Sequence, residues 1–108
     1  MSFDKEWNKT AKAVYTNAVN HGFWKGEVND GERMALIHAE ISEALEALRD
    51  NNPTSSKILD FSSVEEELAD AVIRIMDYGF GKHLDIAAAI IAKIEYNSDR
   101  EFMHGKAF

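Results

Sequence analysis

The chain has 108 residues and no cysteine, with 45% hydrophobic and 29% charged residues. These figures describe one small globular domain, residues 1–108, and exclude disulfides, thiolate catalysis and Cys-ligated metal. Lysine and arginine number 12 against 19 aspartates and glutamates, a formal charge of −7. That balance argues against nucleic acid and anionic membrane as partners, since both need a basic surface.

The first residues are polar, unlike a secretory leader. The longest apolar run, Ile86 to Ala92, is far short of the ~20 residues that span a bilayer. A cytoplasmic protein is the expectation. Proline occurs once, at Pro53, and apolar residues recur at three- and four-residue spacings, the helical period.

In chain order, a first helix is expected over Phe3 to Asn20, followed by the glycine-bearing turn His21 to Gly26. A second begins at Asn29 or Asp30, where Asn29 with Glu32 fits a capping pattern, and runs to Asp50. The stretch Asn51 to Ser56 reads as a loop. Ser63 with Glu66 reads as a capping box opening a third helix, ended by Gly79 and Gly81. A fourth starts between His83 and Asp85 and reaches Met103. The fold class is all-α, a four-helix bundle that a chain this short would complete by oligomerisation.

The second and third helices carry one pattern twice. Ile37, Ile41, Ala44 and Leu48 form an apolar stripe, and Val64, Leu68, Ala71 and Ile75 repeat its offsets. Glu40 and Glu43 match Glu67 and Asp70 in that register. With about 100° per residue, each acid pair stands about 60° and 120° to the same side of its stripe's first residue. The pairs therefore border the core. Glu46 and Glu66 lie about 180° away and read as solvated acids.

If the stripes pack together, four carboxylates converge, and their mutual repulsion calls for a hard divalent cation such as Mg²⁺ or Mn²⁺. The plainer alternative is an ordinary acidic helix surface. A di-iron site fits less well, because Glu101 with His104 supplies one Glu-x-x-His motif and the carboxylate helices supply none. Zinc deaminase chemistry is excluded despite His38-Ala39-Glu40, for want of cysteines.

On the fourth helix, Ile86, Ile90 and Ile94 form an apolar face whose continuation is Lys93, Asn97, Arg100 and His104. This stripe is either a solvated helix end or a phosphate clamp in which Lys93 and Arg100 bond phosphate oxygens and Asn97 adds a neutral contact. Arg74, on the acid side of the third helix, is a second candidate. The run Ile86 to Ala92 is apolar nearly all round and is expected to be buried against other helices or another chain. In the Gly22-Phe23-Trp24 turn, Phe23 is expected to plug a helix corner, and Trp24 is open to stacking on a nucleobase or to packing.

These segments resemble the MazG-like all-α nucleoside triphosphate pyrophosphohydrolases. The family's Glu-x-x-Glu and Glu-x-x-Asp read here as Glu40-Ile41-Ser42-Glu43 and, after residues 44–66, Glu67-Leu68-Ala69-Asp70. Lys93, Asn97, Arg100 and His104-Gly105-Lys106 resemble the tail of short members, without the proline and second glycine that often accompany it. The resemblance implies hydrolysis of a nucleoside triphosphate, a deoxynucleotide in particular, between the α and β phosphates. It further implies Mg²⁺ held by the four acids, a house-cleaning role, and a homodimer or homotetramer whose sites draw on more than one chain. A non-catalytic helical interaction or nucleotide-binding module is the alternative.

Overall fold

Helices form where polar side chains satisfy the otherwise orphaned backbone groups of their first turn. The computed structural model describes residues 2–100 and 107. It contains α1 (Phe3–Asn20), α2 (Asp30–Arg49), α3 (Ser63–Gly81) and α4 (Ile86–Ser98). Asn29 caps α2 as expected, its Oδ1 accepting from Glu32 N at 2.9 Å. Asp85 caps α4 through Ala88 N at 3.1 Å.

The capping box of α3 lies one residue earlier than the sequence suggests. Ser62 Oγ accepts from Glu65 N and Glu65 accepts from Ser62 N, leaving Glu66 free for another task. Of the two glycines expected to end α3, Gly81 is its last residue and Gly79 lies inside it, and the left-handed residue beyond the end is His83, with φ of 59°. The glycines serve close packing. A Cβ on Gly79 would lie 2.7 Å from Ile86 Cγ1, and one on Gly81 would overlap the Trp24 ring.

The helices α2 and α3 run antiparallel, and their cross-links define the register: Asp30 with Lys82, Arg33 with Asp77, and Glu40 with Arg74. In that register Ala44 and Ala71 come opposite each other. Both are buried, and small side chains let two helices approach closely. Helix α1 packs on α3, and α4 on α1.

The fully buried apolar residues among those described are alanines: Ala11, Ala44, Ala71 and Ala87. Larger members of the predicted stripes stay half open, Ile41 at 48% and Leu68 at 47% exposure. The α4 run is also more open than expected. Ala87 is buried, while Ala88, Ala89, Ile91 and Ala92 are exposed. Arg100 N bonds back to Asn97 O, a tight turn that closes α4 at Ser98. Met103, to which the sequence extends it, lies outside the described residues. No helix among the described residues is long and apolar enough to cross a membrane.

Candidate functional site

The α2–α3 register brings Glu40, Glu67 and Asp70 together, one carboxylate oxygen of each lying within 4.8 Å of the others. Glu40 is 9% exposed, deeper than its apolar neighbour Ile41. Its Oε1 accepts from Arg74 Nε at 3.1 Å. Its Oε2, and Oε2 of Glu67, are buried without a hydrogen-bond partner among the described residues. Glu43 stands beside Glu67 on the exposed side. Glu40 is thus buried in the helix seam, Glu67 and Asp70 are half-buried and Glu43 is exposed, a graded border of the core as the sequence reading had it.

Charge is poorly balanced here. Close approach to the Glu43 carboxylate, then burial, then Glu40 push the Glu67 carboxyl up to about 8. Burial, followed by the charges of Glu40 and Glu66, raises Asp70 as well, against the opposing pull of Lys57 and Arg74. Buried carboxylate oxygens normally find a donor. Two that lack one, both in an all-oxygen cluster, form a donor set suited to a hard cation.

Glu66 is not a solvated acid. Its side chain is 13% exposed, its Oε1 accepts from Ser55 Oγ at 2.5 Å, and its Oε2 faces Lys57 Nζ at 3.8 Å. The signal that could have found it was the serine-rich loop preceding α3. Glu66 also lies about one turn before Asp70, on the same face. Glu46, by contrast, is exposed as expected and pairs loosely with Arg49 at 4.0 Å.

Two cavities meet at the acids and share Glu43, Glu67 and Lys57 in their walls. The smaller, 610 Å³, opens toward Asp50 and Pro53. The larger, 780 Å³, runs past Glu40, Asp70 and Arg74 to Asn17, Arg33, Asp77 and Phe23.

The corner role expected of Phe23 falls to Trp24, which the sequence left open between stacking and packing. Trp24 fills the corner, its Nε1 donating to Asp77 Oδ1 at 2.8 Å. Tyr15 meets its ring edge-on at 5.3 Å and the Arg33 guanidinium lies 4.4 Å from its centre. Gly81 leaves the room that the larger ring occupies, and Asp77 takes an indole N–H that phenylalanine lacks. Trp24 is thereby engaged within the protein rather than offered as a stacking surface. Phe23 is 67% exposed and lines the larger cavity, its carbonyl held by Arg33.

Lys93 and Asn97 on α4, and Arg100 just beyond its end, are all exposed and line neither cavity. Lys93 Nζ lies 4.5 Å from the centre of the Tyr96 ring, and the Arg100 guanidinium 5.6 Å. Of the two readings of this stripe, the single chain shows a solvated helix end. His104, Gly105 and Lys106 fall outside the described residues, as does Glu101. Comparison with protein-family models, curated proteins and solved structures finds no match for this chain.

Proposed function

We propose that the chain is a Mg²⁺-dependent nucleoside triphosphate pyrophosphohydrolase of the MazG-like kind, cleaving deoxynucleoside triphosphates to the monophosphate and pyrophosphate. Mn²⁺ is an alternative ion. The carrying observation is the pair of buried oxygens on Glu40 and Glu67, without a partner among the described residues, at the junction of two cavities. Glu40, Glu67 and Asp70 would hold the metal, with Glu43 completing the set. When bound, the ion supplies positive charge against the phosphates and polarises the α-phosphorus.

The chain's own residues do the rest. Arg74 fixes one oxygen of Glu40 and so orients the other toward the cluster. Water adds to the α-phosphorus as the bond to the bridging oxygen of the pyrophosphate breaks, and its proton passes to the carboxylates. Glu67, whose carboxyl the neighbouring Glu43 carboxylate holds well above the usual range, is suited to receive it. Lys93, Asn97 and Arg100 serve as a phosphate clamp from a second copy of the chain, since on one chain they lie apart from the acids. The half-open apolar faces of α2, α3 and α4 are suited to a homodimer or homotetramer. A cytoplasmic house-cleaning role fits this chemistry.

The test is incubation with a panel of nucleotides and Mg²⁺, with the products resolved. Monophosphate plus pyrophosphate is expected; diphosphate plus orthophosphate, or no turnover, rejects the reading. The exposed Ile41, Leu45 and Leu48 also suit a helical interaction module without catalysis. Such a module would gain no stability from Mg²⁺.

A further inference from the structure

We propose that Lys57, on the connection between α2 and α3, is a polyphosphate-binding residue that Glu66 holds beside the acids until substrate arrives. The proposal rests on the triphosphate reading above but concerns a residue outside the four acids and outside the α4 stripe.

The connection is built rather than slack. Ser55 is 1% exposed, and its Oγ donates to Glu66 while accepting from Lys57 N at 3.2 Å and Ile58 N at 3.1 Å. Ser55 N bonds Phe61 O at 2.9 Å, and Ser63 N bonds Pro53 O at 2.8 Å. The backbone of Lys57 is therefore tied to Glu66, whose neighbour in sequence is Glu67.

The side chain is free where its backbone is not. It is 80% exposed, and its ammonium stands 3.8 Å from Glu66 Oε2. A solvated pair at that separation contributes little to stability. Yet Lys57 is in the wall of both cavities, beside Glu43 and Glu67. The other cations of the larger cavity are committed: Arg74 to Glu40 at 3.1 Å, and Arg33 to Asp77 at 3.3 Å and to the Phe23 carbonyl.

A polyphosphate entering among five carboxylates needs more positive charge than a metal alone provides. A lysine ammonium is a compact charge on a flexible stem, suited to moving from one anion to another. When Lys57 turns to a phosphate oxygen, Glu66 keeps its bond from Ser55 and is not left without a partner.

The test compares the wild-type chain with Lys57→Gln and Lys57→Arg. It measures binding of inorganic tripolyphosphate with Mg²⁺ by calorimetry, and kcat and KM for the best nucleotide of the panel. A charge-assisted bond to phosphate predicts a loss of about tenfold to a hundredfold in affinity and kcat/KM for Lys57→Gln, with most regained in Lys57→Arg. Unchanged affinity and kinetics with a lowered melting temperature would overturn the proposal in favour of a merely structural ion pair. Lys57-dependent tripolyphosphate binding without nucleotide turnover would uphold Lys57 and reject the pyrophosphohydrolase reading. Turnover indifferent to Lys57 would do the reverse. A wild-type chain that neither binds nor hydrolyses overturns both.

Discussion

Arg74 Nε donates to Glu40 Oε1 across 3.1 Å, while the other oxygen of the same carboxylate is buried with no partner among the described residues. One oxygen is anchored and one is offered, as in a carboxylate oriented by an outer partner for a ligand. Removing the anchor leaves a buried carboxylate with neither oxygen satisfied. Arg74→Ala should therefore destabilise the fold by about 1–3 kcal/mol in chelator, read from urea unfolding. Mg²⁺ should recover part of that loss. A variant as stable as wild type in chelator would show that the contact orients nothing.

The pH dependence has a definite sign. The folded Glu67 carboxyl titrates near 8 against an ordinary value of 4.5. Below 4.5 it is protonated in both states. Between 4.5 and about 8 the folded chain keeps a proton that the unfolded chain has released. Stability in chelator should thus fall as pH rises through that window, and the raised Asp70 carboxyl acts in the same direction. A divalent ion takes the place of the proton, so Mg²⁺ should raise the melting temperature more at pH 8 than at pH 6. Thermal melts over that range check this, and stability rising with pH in chelator would contradict it.

Glu67→Gln removes the charge and keeps the shape. It should make the metal-free protein more stable than wild type at pH 8, because the repulsion from Glu43 and Glu40 is relieved. It should also abolish both turnover and the Mg²⁺-dependent gain in melting temperature. The opposite signs of the two effects separate a cation site from ordinary packing.

Gly81→Ala tests the corner. The new Cβ would overlap the Trp24 ring, which is held by Asp77 and flanked by Tyr15 and Arg33. A cost of about 1–3 kcal/mol is expected, typical of overpacking. Tryptophan fluorescence should report the displaced indole against the unaffected Trp7 background.

Mixing two inactive proteins tests whether sites are shared between copies. Glu67→Ala removes an acid and Arg100→Ala a clamp residue, and each alone should lack most activity. If the clamp comes from a second copy, an unfolded and co-refolded mixture should regain a fraction of wild-type turnover. No recovery, from variants that still associate, would assign both residues to one chain.

Much of this was legible in the chain itself. Helical spacing placed the four helices, Asn29 announced its cap, and the doubled acid register marked Glu40, Glu67 and Asp70. Other features depended on a single residue of register or on distant partners. The capping box is Ser62 with Glu65 rather than Ser63 with Glu66, and the α2–α3 connection folds over Glu66, making it the partner of Ser55 and Lys57 rather than a solvated acid. The choice between Phe23 and Trp24 turned on Gly81 and Asp77, more than fifty residues away.

The acidic balance of −7 illustrates the division. Four of those charges belong to Glu40, Glu43, Glu67 and Asp70, leaving −3 for the remainder, a separation visible from periodicity because a helix repeats its faces every 3.6 residues. Periodicity is a local property, and it determined which acids share a face. Whether those acids are solvated or buried is a property of what lies opposite, and only packing decided it. Antiparallel α2 and α3 closed on their alanines, drew three carboxylates to within 4.8 Å and left two oxygens without donors among the described residues.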